Sequence, residues 1–138
     1  MGFKRFMENE GSPRVSYSGI VLTDESHENL TGHFQPKHPE MLAHHMTIKM
    51  GPLEGPDRDF IGNKVKLRVV TYASDDKVEA VGVEQMGNQP KSHNKVPHIT
   101  LSVNREAGGK PFHSNKLRGW DRVETVIDLE GVVTEVTA

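Results

Sequence analysis

Val96-Pro97-His98-Ile99-Thr100-Leu101-Ser102-Val103 places an apolar residue at every second position from Ile99 onward. Period two over this length predicts a half-buried β-strand, with Pro97 confined to its start or to an edge. A second stretch, residues 43–50, alternates in the same way and stops at Gly51-Pro52. Between them lies the clearest alternation in the chain, Lys64-Val65-Lys66-Leu67-Arg68-Val69. The turn Ser74-Asp75-Asp76-Lys77 then returns the chain as a hairpin partner over 78–84. Upstream, Val15-Ser16-Tyr17-Ser18-Gly19-Ile20-Val21-Leu22 carries the β-branched and aromatic residues of a strand. Thr23 or Asp24 can cap a short helix running through His27 and Leu30, and Gly32 is expected to stop it. Downstream, residues 124–136 offer one or two strands around Gly131, and short helical pieces are conceivable near Met41 or Leu117. At least six strands and one helix define an α+β domain, mostly antiparallel.

Composition sets the outer bounds. The chain has 138 residues, 34% apolar and 26% charged, which suits one compact domain with a modest core. Residues 1–14 mix charge, Gly and Pro and read as a partly ordered lead-in, leaving a single domain over 15–138. The net charge of −2 is too balanced for gripping duplex DNA by charge alone. The absence of cysteine removes a disulfide framework, a thiol nucleophile and a Cys-based zinc site. No apolar run approaches a membrane span, the first residues lack a signal-peptide core, and Phe6 stands where a myristoylation signal needs Ser or Thr. A cytoplasmic monomer that touches no membrane is the expectation. Eight histidines in so short a chain call for an explanation.

Two of them belong to one pattern written twice. His45-Met46-Thr47-Ile48 and His98-Ile99-Thr100-Leu101 both read His, apolar, Thr, aliphatic, and both fall on strands assigned from alternation. Strand geometry puts His and Thr of each copy on one face, roughly 6–7 Å apart, with the aliphatic anchors on the other. One His-x-Thr by itself is usually just a half-exposed strand face; the repetition with matched neighbours is what carries weight.

Such a pair suits phosphodiester chemistry. In-line displacement at phosphorus needs a base for the attacking oxygen and an acid for the leaving oxygen, on opposite sides. Two imidazoles can fill both roles near neutral pH. The non-bridging oxygens need short-range donors, which Thr47 and Thr100 supply. Neither a metal nor another cofactor is required by this arrangement.

The two motifs, as they stand in Ala43-His44-His45-Met46-Thr47-Ile48-Lys49 and Lys95-Val96-Pro97-His98-Ile99-Thr100-Leu101-Ser102, resemble the signature of the two-histidine (2H) phosphoesterase superfamily. Within it they resemble the cyclic phosphodiesterase domain of tRNA ligases and its small bacteriophage relatives. Tyr17-Ser18-Gly19-Ile20-Val21-Leu22-Thr23 and Lys110-Pro111-Phe112-His113-Ser114-Asn115 resemble the same branch. The resemblance implies a two-lobed fold whose antiparallel sheets form a cleft, one motif on each lobe. It also implies metal-independent opening of a 2′,3′-cyclic phosphate, at an RNA end or on a nucleotide, to a 2′-phosphate. By motif order His45 would protonate the leaving 3′ oxygen and His98 would activate water, while Thr47 and Thr100 hold the phosphate. Ser114 and Asn115 would line the cleft by the same resemblance.

The other candidates divide between site and scaffold. Tyr17 can stack on a nucleobase or simply pack at a sheet edge. Trp120, the sole Trp, is more often core than base-stacking platform. Lys49, Lys95 and Arg118 can contact phosphates, although Lys95 sits in a polar loop. His44, next to His45, is expected on the opposite strand face, in packing or at the surface. His27, His33, His38, His93 and His113 receive no role, and a zinc site from His38, His44 and His45 matches no standard spacing.

Three further functions compete with the RNA-end reading. The same four residues serve hydrolysis of cyclic oligonucleotide second messengers, as in phage enzymes that blunt host signalling. A nucleotide-binding module without turnover and a sheet-based interaction protein complete the set. A basic groove favours RNA, and an enclosed pocket with aromatic walls favours a small cyclic ligand.

Overall fold

The computed structural model describes residues 14–137, so the lead-in expected over 1–14 lies outside it apart from Arg14. Seven strands and one α-helix follow in the order β1 (Val15–Leu22), α1 (Asp24–His33), β2 (Glu40–Met41), β3 (His45–Met50), β4 (Lys64–Ser74), β5 (Val78–Met86), β6 (His98–Val103) and β7 (Asp121–Thr137). Their spatial order is β2-β6-β3-β1-β7-β4-β5, and β5 pairs back onto β6. Six strands therefore close into a barrel in which every pairing is antiparallel. Closure leaves only the two-residue β2 as an added edge, which removes the exposed hydrogen-bonding row of an open sheet.

The alternation read in the sequence fills this barrel. Val65, Leu67 and Val69 of β4 point inward with Ile127 and Leu129 of β7, where Leu67 faces Leu129 and Val69 faces Ile127 across the ladder. Met46 and Ile48 of β3 and Ile99 and Leu101 of β6 join them, all essentially without solvent contact. β5 is covered on both faces: Val81 and Val83 belong to the interior, while Val78 and Ala80 form a second cluster with Ala73, Val103 and Leu117.

Three expectations need correction. The two lobes are one continuous closed sheet, because β1, β7 and β4 join the halves on one side and β5–β6 pairing joins them on the other. The seam is thinnest between the two motif strands, where β3 and β6 share the single pair Met46–Ile99. Of the one or two strands expected around Gly131, the C-terminal segment forms one, 17 residues long and unbroken there. A Cβ there would stand 2.5 Å from Ile20 Cγ2 and 2.9 Å from the Val21 carbonyl oxygen, so glycine serves close strand packing. Helix α1, capped by the Thr23 hydroxyl accepting from the Ser26 amide, runs past Gly32 to His33. Its end is set instead by Phe34, whose extended backbone lets the ring stack on Tyr72 at 5.6 Å. Met41 lies in β2, not in a helical piece. The helical turn foreseen near Leu117 is a 3-10 helix over Pro111–Lys116.

Candidate active site

The chain around the first motif is bent before it becomes a strand. Leu42 and Ala43 still bond to β6, their amides donating to the Leu101 and Thr100 carbonyls at 2.7 and 2.9 Å. Ala43 then takes φ of 51°, a left-handed conformation disfavoured for a residue with a Cβ. The His27 ring donates from Nδ1 to the Ala43 carbonyl at 2.9 Å, and the Leu22 amide donates to the His44 carbonyl at 3.0 Å. This irregular step re-aims the chain as a bulge does and launches β3 at His45. His27, without a role in the sequence reading, thus holds the turn that delivers the first motif.

Alternation on β3 and β6 then does what the pattern predicts. The aliphatic anchors enter the barrel, and His45, Thr47, His98 and Thr100 line one cavity of about 750 Å³ on its outer side. Tyr17 from β1 and Asn115 from the 3-10 helix line it too, with Leu42, Met50, Pro111 and Phe112 as apolar wall. Lys49 reaches it while paired with Glu54 at 3.2 Å. Ser114 lines the adjoining cavity instead: it is 1% exposed and its hydroxyl lies 2.8 Å from the Thr100 hydroxyl.

Tyr17 stacks on His45, and beneath them a Cβ on Gly19 would stand 2.8 Å from the Met46 carbonyl oxygen, so glycine serves the close approach of β1 and β3. The Tyr17 hydroxyl sits 3.2 Å from His45 Nδ1, and His44 Nδ1 sits 2.9 Å from the same atom. His44 therefore shares the cavity with His45 and does not take the opposite face. The expectation failed because residue 44 precedes β3, across the left-handed step, where strand alternation does not yet apply.

The second histidine is held differently. His98 Nδ1 lies 2.7 Å from the Val96 carbonyl oxygen, which can only accept. Nδ1 therefore carries the proton, and in the neutral ring Nε2 keeps its lone pair. Burial lowers the His98 pKa below the usual histidine value. It lowers that of His45 further, to about 4, with the charges of His44 and His98 adding to the effect of burial. The charge of His98 thus reaches His45 across the seam between β3 and β6.

A second cavity of about 670 Å³ adjoins the first and shares His98, Asn94 and Asn115 with it. Lys95, Lys116, Arg118 and Trp120 line it, so three of the weaker sequence candidates meet here. Trp120 is half-buried against the second apolar cluster and still presents a face to this cavity. His93 reaches the first cavity, carried there by the loop over 87–97. That loop is tied to β3 by the His93 amide on the Ile48 carbonyl and the Ser92 hydroxyl on the Thr47 carbonyl. No periodic signal exists in that loop to have announced it. His38 is buried with Nε2 on the Asp75 carbonyl, and His113 Nδ1 accepts from the Lys110 amide, so both are structural. Among the described residues no helix is long and apolar enough to cross a membrane.

Comparison with known proteins adds two findings. No curated protein matches the chain. The family model of the fungal tRNA ligase phosphodiesterase domain matches residues 23–134, a span that includes both His-x-Thr motifs, the 3-10 helix and Trp120 but not Tyr17. With more than four-fifths of its length inside that match, the chain belongs to the tRNA ligase cyclic phosphodiesterase domain family, within the two-histidine phosphoesterases.

Proposed function

We propose that the protein is a metal-independent phosphodiesterase that opens a 2′,3′-cyclic phosphate at an RNA end and leaves a 2′-phosphate. The observation that carries this reading is the convergence of both His/Thr pairs on one cavity from strands that scarcely pair with each other. The phosphate sits between the imidazoles. His98 Nε2 takes a proton from water as the water oxygen bonds to phosphorus. The bond from phosphorus to the 3′ oxygen breaks, and that oxygen receives its proton from the His45 imidazolium. Thr47 and Thr100 donate to the non-bridging oxygens, whose charge grows in the transition state.

The base assignment to His98 rests on its tautomer, because the Val96 carbonyl leaves Nε2 unprotonated in the neutral ring. The acid assignment to His45 requires a proton that the free site resists, since its pKa is lowered to about 4. A bound diester anion favours the charged form of both rings and supplies that proton's stabilisation. Acid, base and oxyanion donors are thereby all side chains, so no cofactor enters the scheme.

The cationic second cavity favours an RNA end, while the apolar wall of the first would also accept a cyclic oligonucleotide messenger. Turnover in EDTA of RNA ending in cyclic phosphate, 2′,3′-cyclic nucleotides and cyclic dinucleotides separates the readings. The first should be hydrolysed to a 2′-phosphate. Hydrolysis of the messenger alone would move the protein to that class, binding without turnover of any of the three would make it a binding module, and loss of activity in EDTA with rescue by a divalent ion would end the metal-independent scheme.

A further inference from the structure

The first cavity sets the motif residues, His44 and His93 against an apolar wall, and its one lysine, Lys49, is paired with Glu54, whereas the second is cationic. Lys95, Lys116 and Arg118 line the second, no carboxylate does, and none of the three joins an ion pair among the described residues. This concentration of positive charge stands out on a chain whose net charge is −2. The cavity also offers an indole, and the Trp120 ring lies 6.3 Å from the His98 ring. Phosphate-directed cations beside an aromatic face are what a single-stranded nucleotide needs, one part for its backbone and one for its base.

From this pairing of cavities we infer that the second is a subsite for the nucleotide preceding the cyclic-phosphate end, with its internucleotide phosphate on Lys95 and Arg118 and its base on Trp120. The inference rests on the proposed RNA-end activity and narrows it. The substrate is an oligonucleotide, because a cyclic mononucleotide fills the first cavity and leaves the second empty. His98, in the wall between the two, fixes the reacting phosphate at their junction. Lys116 leans toward Phe112, 6.0 Å from the ring centroid, and so links the rims of both cavities.

Three measurements test this on the intact chain. The first compares kcat/KM for a 2′,3′-cyclic mononucleotide with that for a dinucleotide ending in the same cyclic phosphate, in wild type and in Lys95→Ala/Arg118→Ala. Both side chains are exposed, so the variant should fold. Wild type should favour the dinucleotide by about tenfold or more, and the double variant should erase most of that preference. The second measurement is salt dependence. One additional phosphate should steepen the log–log slope for the dinucleotide by about 0.7 relative to the mononucleotide. The third is fluorescence, since Trp120 is the sole tryptophan of the chain. A 2′-phosphorylated dinucleotide product should quench it, and a 2′-phosphorylated mononucleotide should not.

Equal kcat/KM on both substrates, or an equal loss on both in the variant, would overturn the subsite and leave the phosphodiesterase reading intact. Quenching by the mononucleotide as strongly as by the dinucleotide would do the same. Failure of wild type to hydrolyse either substrate would overturn the proposed activity, and the subsite with it.

Discussion

Tyr17 lies nearly flat against His45, with ring centroids 4.5 Å apart, planes inclined by 27° and its hydroxyl 3.2 Å from Nδ1. One residue thus both walls the first motif's imidazole and touches the nitrogen that sets its tautomer. When the hydroxyl donates to Nδ1, the proton of the neutral ring resides on Nε2, the form from which an acid can be built. Tyr17→Phe keeps the stack and removes only this contact, so kcat should fall about 2–10-fold. Tyr17→Ala removes the wall as well and should cost distinctly more. Steady-state kinetics of the two variants side by side check this; unchanged kcat in Tyr17→Phe would mean that the hydroxyl contributes nothing, and equal losses in the two would mean that the ring wall contributes nothing.

The pair of histidines should behave as a unit. His45→Ala and His98→Ala should each lower turnover by on the order of 10²–10⁴, and the double variant should lose far less than the product of the two. Near wild-type turnover in either folded single variant would remove the two-histidine mechanism.

Both rings have pKa values below the usual 6.5 in the free protein, His45 most of all. The kcat/KM profile reports the free enzyme, so its bell should be centred on the acid side of the ordinary histidine value. In the complex the substrate's negative charge raises both values, and the kcat bell should lie to the alkaline side of the kcat/KM bell. His44→Gln should move the acid limb of kcat/KM upward, because that limb follows the lower of the two values, and the charge of His44 is one cause of the depression at His45. Coincident bells would place the proton inventory elsewhere.

How much of this was legible beforehand depended on what alternation can encode. It fixed which side chains of 45–48 and 98–101 enter the barrel, because strand period two is a local property. It could not show that the sheet closes on itself, since that rests on β5–β6 pairing between segments with no pattern in common. Nor could it reach His44 or His93, whose positions follow from a left-handed Ala43 and from a loop tied down by backbone bonds. Exposure was also beyond it: His98 is only 9% exposed and bonded to Val96, not simply presented to a wet face. The rim residues Lys95, Arg118 and Trp120 gather only through the tertiary fold.

The phosphate-holding hydroxyls should separate from their support. Thr47→Ala and Thr100→Ala should each cost about 10²–10³ in kcat if they act as oxyanion donors. Ser114, buried beside Thr100 in the wall of the second cavity and 2.8 Å from its hydroxyl, acts by positioning that donor. Ser114→Ala should therefore cost only about 2–10-fold, and should cost nothing further in a Thr100→Ala background. Independent, additive losses would show that Ser114 acts by another route.

Ala43 offers a test of the turn that launches the first motif. It is fully buried at φ of 51°, a conformation in which a β-branched side chain is strongly disfavoured. Ala43→Val should destabilise by roughly 2–4 kcal/mol through backbone strain and overpacking together. Ala43→Gly, free of the left-handed penalty, should fold with stability close to wild type. Urea denaturation of both variants decides the matter, and equal losses would mean that the conformation of residue 43 is not what the site depends on.

Acid stability should carry the signature of His45. In the unfolded chain its imidazole titrates near 6.5, and in the folded protein it resists protonation until about 4. Between those values the unfolded state binds a proton that the folded state does not, so stability falls as pH falls. The contribution is fully present above the unfolded value and is lost progressively as pH drops toward the folded one. The gap corresponds to a loss of about 3 kcal/mol across the window, with His98 acting in the same direction. His45→Gln cannot take up the proton. It should lose less stability than wild type when urea denaturation is repeated from neutral pH down to about pH 4.5, whatever its stability at neutrality. Because every other titrating group is common to both proteins, the difference isolates this ring. Identical pH dependence in the two would mean that His45 titrates alike folded and unfolded, and the burial that holds it neutral would no longer explain its chemistry.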